Sequence, residues 1–228
     1  MSNSEQQLFN ACASEPSLIF ALIKQGHYEI IEKLIDENLV NVNLVDSVGN
    51  DVVARLLKAQ QYDLVIMLMK KRNWDVNHKN ANGNTFAHIL AHDNSVSALR
   101  VVEQLKKKKN YLPNIKNDKG ETALDLALNN KYLCTAFKLL EDKRFNDINV
   151  TSFKNLFAVI IKDREYGKYS KINNLEIVVE NLEKKELDPL LTNLVETISD
   201  NMDAIKKDIM NNSSYLLETI IDNHLIME

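Results

Sequence analysis

The sequence predicts an all-α fold: a helical-repeat solenoid of stacked helix-turn-helix units, with short finger turns and capping helices. Three stretches share one pattern, an Asn, a glycine six residues later, and then an apolar helical run; they are 43–56, 77–90 and 114–127. They are spaced by 34 and 37 residues, a period typical of stacked arrays. The 228 residues also include only five glycines and three prolines, which leaves few tight turns and favours helix throughout.

The period divides the chain into units, each of which would bury its apolar face against its neighbours rather than in one central core. We expect an N-terminal cap helix at 1–12, four repeats at 13–45, 46–78, 79–117 and 118–150, a degenerate fifth repeat with an inserted loop at 151–188, and C-terminal capping helices at 189–228.

The repeated residues resemble those of the ankyrin repeat. The resemblance covers about four fifths of the chain and rests on the following positions: Gly83, Thr85 and His88; Asp118, Gly120, Thr122, Leu124 and Ala127; the turn Gly26-His27-Tyr28-Glu29; the closing triplet Asp75-Val76-Asn77; and the closing residues Asn43, Asn114 and Asn149. It implies an ankyrin-type solenoid, in which finger turns and first helices line a concave groove.

The first elements follow from helical spacing. The run Gln6 to Ala13 predicts the cap helix, which would cover the apolar face of the first repeat. Leu18 to Ile23 and Tyr28 to Ile35 predict two antiparallel helices. In the second of these, Ile30, Ile31, Leu34 and Ile35 form one stripe that we expect to pack inward.

The second repeat departs from the family pattern after its glycine, but Asp51 can still cap the following helix. Its second helix, predicted at Asp63 to Lys70, carries a Met- and Leu-rich stripe that we interpret as core. Trp74 stands where the family has a small residue. It either folds over the loop or is an exposed aromatic anchor for a partner.

The third repeat contains two histidines, His88 and His92, four residues apart on one predicted helix face. That spacing suits two zinc ligands, but the His-Glu-x-x-His form is absent. The resemblance implies that His88 instead bonds neighbouring turns, and we expect no metal.

The run Lys106 to Lys109 is either a solvated helix end or a contact for phosphates or an acidic partner, with a nuclear-import signal as a further alternative.

The fourth repeat has a predicted first helix at Ala123 to Leu128, with Thr122 able to cap it. Beyond it the pattern weakens: Leu156 to Ile161 and Asn173 to Glu183 predict helices, separated by an insertion at Arg164 to Ser170. Three apolar stripes follow, and they either cap the last repeat or bind a partner. The stripes are Leu190, Leu191, Leu194, Val195 and Ile198; Ile205 and Ile209; and Tyr215, Leu216, Ile220, Ile221 and Leu225.

Charge and compartment signals limit the function. The net charge is −4, with 14 acidic against 9 basic residues in 151–228, so composition does not favour a broad nucleic-acid-binding face. We see no signal peptide, transit peptide or membrane-spanning run, and expect a soluble intracellular protein, cytoplasmic and/or nuclear. Cys12 and Cys134 agree with a reducing compartment and are predicted as small buried hydrophobes rather than reactive thiols.

No catalytic motif is present in the sequence, so we expect no enzyme activity, no cofactor and no small-molecule substrate. The resemblance implies a protein–protein interaction scaffold that binds one or more proteins through its groove. The alternatives are a module or subunit of a larger regulatory complex, in transcription or trafficking, and a nucleic-acid-binding helical repeat using Lys70-Lys71-Arg72 and the lysine run. Partner-binding positions predicted from the resemblance are Ser47, Val48, Asn50, Arg55, Lys58, Trp74, Ala81, Asn82, Asn84, His92, Asn117, Lys119, Glu121, Asp125 and Asn129.

Overall fold

The computed structural model describes residues 3–148, 150–162 and 167–225. Within those ranges it contains fourteen α-helices, one 3₁₀ turn and no strand beyond an isolated bridge between Val45 and Asp51. The chain forms two compact units, Met1–Ala123 and Leu124–Glu228. The predicted all-α helical-repeat fold is confirmed. No helix in the described ranges is both long enough and apolar enough to span a membrane.

Unit 1 consists of an N-terminal helix, a short 3₁₀ turn and three helical hairpins. Its helices are α1 (Asn3–Ser14), α2 (Ile19–Gln25), α3 (Tyr28–Asp36), α4 (Val52–Lys58), α5 (Tyr62–Met69), α6 (Phe86–Leu90) and α7 (Val96–Lys106). Unit 2 holds nearly all of α8 (Ala123–Asn129) and then α9 (Leu133–Leu140), α10 (Val150–Lys162), α11 (Lys168–Glu183), α12 (Pro189–Asp200), α13 (Met202–Met210) and α14 (Tyr215–Leu225).

The turns inside three of the helical hairpins each contain a left-handed residue. Gly26 ends α2 at φ +79°, and its N–H is bonded to the Ile23 carbonyl. Gln60 and Lys131 adopt the same region at φ +58° and +60° in the corresponding turns after α4 and α8. Only glycine occupies this region without steric cost, so the two later hairpins carry a strain that the first one avoids.

Apolar stripes position the hairpins of unit 1. Ile30, Ile31, Leu34 and Ile35 are all buried in α3, as their spacing predicted. Asp51 caps α4 as predicted, because its side chain accepts the Ala54 N–H at 2.6 Å. The cap fixes where α4 begins after the preceding loop.

Trp74 is buried, with 3% of its surface exposed, so the alternative of an exposed aromatic anchor is wrong. Its ring meets that of Phe86 edge-on, with centroids 5.0 Å apart. Its indole N–H donates to Asp51 Oδ2 at 2.9 Å. A buried acceptor for the indole and an aromatic neighbour together explain why this large side chain folds inward.

Unit 2 packs around long apolar helices. Phe153 and Phe157 of α10 are fully buried, with ring centroids 4.7 Å apart. Helices α10 and α11 extend beyond the runs that predicted them, and α11 begins inside the predicted insertion. Residues 164–166 of that insertion and the closing Asn149 lie outside the described residues. The three C-terminal stripes form α12, α13 and α14, except that Tyr215 is 75% exposed and Leu217 is buried in its place.

The two cysteines differ. Cys12 is buried as predicted, but the prediction for Cys134 is wrong because this thiol is exposed. Leu133, Ala136 and Leu140 form the buried stripe of α9. Cys134 follows Leu133 directly, which turns it about 100° around the helix, away from that stripe.

Candidate functional site

Three finger turns of unit 1 share one hydrogen-bond pattern. Asp46, Asn80 and Asn117 each use a side-chain oxygen to accept the backbone N–H groups two and four residues later, at 2.9 to 3.1 Å. Each residue also donates its own N–H to the carbonyl four residues on. The fingers are therefore the loops 46–50, 80–84 and 117–121, and short polar side chains fix their shape.

Each finger requires a glycine at positive φ: Gly49 at +76°, Gly83 at +70° and Gly120 at +78°. Their surroundings differ. A Cβ on Gly83 would lie 2.3 Å from Asp118 Oδ1 and 2.7 Å from the Asp118 backbone nitrogen, whereas a Cβ on Gly120 would meet no atom within 4 Å. Gly83 is thus fixed by close packing against the next finger as well as by its backbone conformation.

The fingers are bonded to one another side by side. The backbone N–H of Ala81 donates to the Val48 carbonyl at 3.1 Å, and that of Asp118 donates to the Asn82 carbonyl at 3.3 Å. Amide side chains make a second set of bonds, listed here with their distances: Asn80 Nδ2 to Asn50 Oδ1, 3.0 Å; Asn117 Nδ2 to Asn84 Oδ1, 3.0 Å. The three loops therefore form one cross-bonded surface.

The bonds between fingers, which we call the finger ladder, show that two predicted partner-binding residues are buried. Asn50 and Asn117 are buried, at 2% and 9% exposed, rather than exposed to a partner. Asn50 Oδ1 and Asn117 Nδ2 carry the bonds between fingers, so these atoms are already engaged within the protein.

The Asn that closes a repeat also clamps the next one. Asn43 donates its Nδ2 to the Asn73 carbonyl at 2.6 Å and accepts the Asp75 N–H at 2.9 Å. Asn77 repeats the arrangement one period later, donating to the Asn110 carbonyl at 2.6 Å and accepting the Leu112 N–H at 2.9 Å. Each clamp satisfies two backbone groups in loops that no regular secondary structure pairs.

His88 is a structural residue, as the resemblance implied. It is 1% exposed, and its Nδ1 accepts the Thr85 backbone N–H at 3.1 Å. Nε2 therefore carries the proton and donates to the Glu121 carbonyl at 2.9 Å, which ties α6 to the next finger. His92 is exposed beyond the end of α6. No group of three His, Cys, Asp or Glu side chains in the described ranges is arranged to hold a metal.

The remaining predicted positions fall into two groups. Ser47, Val48, Lys58, Ala81, Asn82, His92, Lys119 and Asn129 are exposed, and Arg55, Asn84, Glu121 and Asp125 are half-buried. Asp125 and Asn129 belong to unit 2, where Asp125 accepts a hydrogen bond from the Ser152 hydroxyl. Partner binding by any of these residues stays a prediction.

The structure places three of the predicted residues, Ser47, Arg55 and Lys58, along one cleft of about 660 Å³ in unit 1. The cleft is lined by Phe20, Ala21, Ile23, Lys24, Asp46, Ser47, Arg55, Lys58 and Ala59. Sequence reasoning missed the wall contributed by α2. The signal was the repeat itself, because Lys24 stands one 34-residue period before Lys58.

We call this cleft the α2/α4 cleft. Of its charged residues, Arg55 and Asp46 form an ion pair, whereas Lys58, among the described residues, bonds only to the neutral Asn50. Arg55 donates to Asp46, whose side chain is 7% exposed. Burial alone would raise the pKa of Asp46, but the N–H groups of Asn50 and Val48 together with Arg55 lower it, so this carboxylate stays ionised and fully bonded. Burial, followed by the nearby charge of Arg55, lowers the pKa of Lys58.

The lysine run lies at a helix end, as one alternative predicted. Helix α7 ends at Lys106, which pairs with Glu103 at 3.3 Å. Lys108 lies over the Trp74 ring, 5.8 Å from its centroid, and donates to the Lys71 carbonyl at 3.4 Å. Two of the four ammonium groups are therefore engaged within unit 1, which leaves less of the run free for phosphates.

Comparison with known proteins identifies the fold. The structure is similar to the crystal structure of the ankyrin repeat domain of Bcl-3, a member of the IkappaB protein family, with a TM-score of 0.53 and 16% identity over 73% of each chain. A curated relative, the Arabidopsis thaliana E3 ubiquitin-protein ligase KEG, is 27% identical over 145 residues, which is 63% of this chain and 9% of the ligase. No protein-family model matches the chain. The fold is the ankyrin-repeat fold that the sequence predicted.

Proposed function

We propose that this chain, an ankyrin-repeat array by its fold, is a non-catalytic scaffold that binds a partner protein. The binding surface would be the finger surface of unit 1, meaning the exposed atoms of 46–50, 80–84 and 117–121 together with the neighbouring faces of α4 and α6. The observation that carries the proposal is the cross-bonded ladder of fingers.

The ladder matters because it reduces the entropy lost on binding. A free loop must be ordered when a partner docks, at a cost of about 1 to 2 kcal/mol for each residue fixed. Here backbone bonds and amide side chains hold each finger to the next in the unbound chain. Side chains projecting from these loops are therefore preorganised for a partner.

The exposed side chains on the ladder are chemically mixed. Val48 is an apolar residue with 48% of its surface exposed at the tip of the first finger. Ser47, Asn82 and Lys119 are exposed and supply hydroxyl, amide and ammonium groups. A surface with an apolar contact surrounded by hydrogen-bonding groups is typical of protein interfaces.

The two free cysteines support an intracellular setting. Cys134 is an exposed free thiol and Cys12 a buried one, and both are compatible with a reducing compartment. We propose the cytoplasm or nucleus on this basis.

A second candidate function is that of a recognition module within a larger assembly. The similarity to a 145-residue part of a much longer ubiquitin ligase favours it, because that match covers only 9% of the ligase. The ligase's own activity is not carried over to this chain. A stable partner that co-purifies in fixed stoichiometry would support this module over a free scaffold.

Affinity purification from the source cell tests the scaffold proposal. The wild-type chain is compared with the double variant Asn82→Arg and Lys119→Glu, which changes two exposed finger residues. The control is Glu32→Arg, an exposed charge reversal on α3. We expect a partner protein to be lost from the finger variant and kept by the control, with both variants folded by circular dichroism. Equal recovery with all three chains would contradict the finger surface as the binding site.

A further inference from the structure

We propose that the α2/α4 cleft receives an acidic segment of the partner protein, with an apolar side chain of that segment seated against α2. This inference rests on the proposed scaffold function and names the chemistry of the partner.

One wall of the cleft is apolar. Phe20, Ala21 and Ile23 line it from α2, and Ala59 closes it at the end of α4. Phe20 is half-buried and Ala21 is exposed, so this wall retains apolar surface that a partner could cover. An aliphatic or aromatic side chain packed there would gain about 25 cal/mol for each Å² of apolar area removed from water.

Three cations also line the cleft: Lys24 at the C-terminal end of α2, and Arg55 and Lys58 on α4. Asp46 is the one carboxylate among the lining residues. This concentration of positive charge stands out in a chain whose net charge is −4. With three cations against one carboxylate the cleft carries a net positive charge, which attracts anions.

The acid in the cleft pairs with only one of these three cations. Asp46 already accepts hydrogen bonds from Val48, Asn50 and Arg55. Lys24 and Lys58 have no ion-pair partner among the described residues, and the bond that Lys58 makes is to the neutral Asn50 Oδ1 at 3.1 Å. Two ammonium groups therefore remain available to carboxylates from outside.

The site also continues into the finger surface. Ser47 belongs both to the cleft lining and to the first finger, and the exposed Val48 is its neighbour. A segment of extended or helical peptide could leave the cleft and continue along the fingers. This continuity favours a stretch of protein over a small free anion, which would contact only the cations.

The test uses random peptides displayed on phage and selected against the full chain. Enriched peptides are synthesised with a fluorophore, and their affinities are measured by fluorescence anisotropy at about 50 and about 300 mM NaCl, where screening differs strongly. The cleft variants are Lys24→Glu and Lys58→Gln; the second removes the charge but keeps a donor for Asn50. The control is Lys33→Glu, an exposed lysine of α3 in the same repeat as Lys24.

We expect enriched peptides to contain Asp or Glu beside an apolar residue. Lys24→Glu should weaken them at least about fivefold, since it removes an attraction and adds a repulsion. Lys58→Gln should weaken them less, Lys33→Glu should leave them unchanged, and higher salt should weaken the wild-type complex. Enrichment of peptides without acidic residues, no enrichment, or acidic peptides whose binding ignores both cleft variants would overturn the inference.

The affinity purification distinguishes failure of this inference from failure of the proposed scaffold function. Suppose that the double variant Asn82→Arg and Lys119→Glu loses the captured protein, that Lys24→Glu keeps it, and that the peptide selection gives one of the contradicting results. The scaffold function would then stand, and the acidic-segment site would be rejected. Capture that neither set of variants affects would reject the scaffold surface itself.

Discussion

The two units of the chain hold their elements by different means. In unit 1, loops between helices are held by polar clamps that recur with the repeat: the finger oxygens of Asp46, Asn80 and Asn117, and the closing amides of Asn43 and Asn77. In unit 2, longer helices pack directly through apolar residues of α10 to α14. Polar clamps specify where each loop lies, whereas apolar packing mainly supplies stability.

This difference explains where a binding surface can form. A loop that is pinned at both sides can display side chains at fixed positions, as the fingers do. Unit 2 has one glycine, Gly167, and it is not at positive φ. The proposed binding surface therefore lies in unit 1, and we expect substitutions in unit 2 to act through folding.

The largest expected effect is a cavity in unit 2. Phe157→Ala removes a fully buried ring that contacts Phe153 and should lower the free energy of unfolding by about 4 kcal/mol. Phe157→Leu keeps most of the volume and should cost less than half as much. Urea denaturation followed by far-UV circular dichroism measures both, and equal small losses would contradict the role given to apolar packing.

The next effect compares two finger glycines of unit 1. Gly83→Ala combines left-handed strain with a clash against the Asp118 backbone and should cost about 3 kcal/mol. Gly120→Ala has the same sign of φ but open space, so we expect a loss of about 1 kcal/mol from strain alone. Urea denaturation of the pair isolates the contribution of finger packing. Indistinguishable losses would mean that the fingers do not pack as tightly as described.

A smaller effect tests the closing clamp. Asn77→Ala removes the bond to the Asn110 carbonyl and leaves the Leu112 N–H without its acceptor, for an expected loss of about 2 kcal/mol. Asn73→Ala, an exposed neighbour that contributes only its backbone carbonyl to a clamp, should stay within about 0.5 kcal/mol of wild type. Thermal unfolding of the two variants decides whether the amide carries the clamp.

Local turn residues could be predicted from the sequence, whereas contacts between fingers could not. Gly49, Gly83 and Gly120, with Asn at fixed offsets, predicted the fingers because local turn chemistry requires those residues. The inward roles of Asn50 and Asn117 could not be predicted in that way, since their partners, Asn80 and Asn84, lie on another finger, 30 and 33 residues away in sequence.

Side-chain direction was the other limit. The sequence left two alternatives open for Trp74, and the prediction for Cys134 was wrong. In both cases burial depends on neighbouring residues: Asp51 accepts from the indole, and the buried stripe of α9 that includes Leu133 faces away from the thiol. The lining of the cleft by α2 was detectable in principle, because Lys24 and Lys58 are one period apart, but the first repeat lacks a finger to mark the alignment.

The smallest expected effect is spectroscopic. Burial raises the pKa of Asp51 above its ordinary 3.8, although the N–H groups of Ala54 and Trp74 oppose it. The folded state thus holds the proton more tightly than the unfolded chain. The stability contributed by this group is present at low pH and is lost as the pH rises from about 3.8 through the folded pKa.

Trp74 reports that titration directly, because it is the only tryptophan and its indole donates to Asp51. We expect its emission to shift with a midpoint above 3.8. Asp51→Asn should abolish the shift, and a midpoint below 3.8 would contradict the assigned direction.

Hydrogen exchange of the chain with and without its captured partner tests the central claim most directly. If the finger surface is the binding site, exchange should slow in peptides covering 46–59, 80–92 and 117–121, and stay unchanged in 167–225. Protection confined to 167–225, with the fingers exchanging as in the free chain, would contradict the assignment of recognition to unit 1.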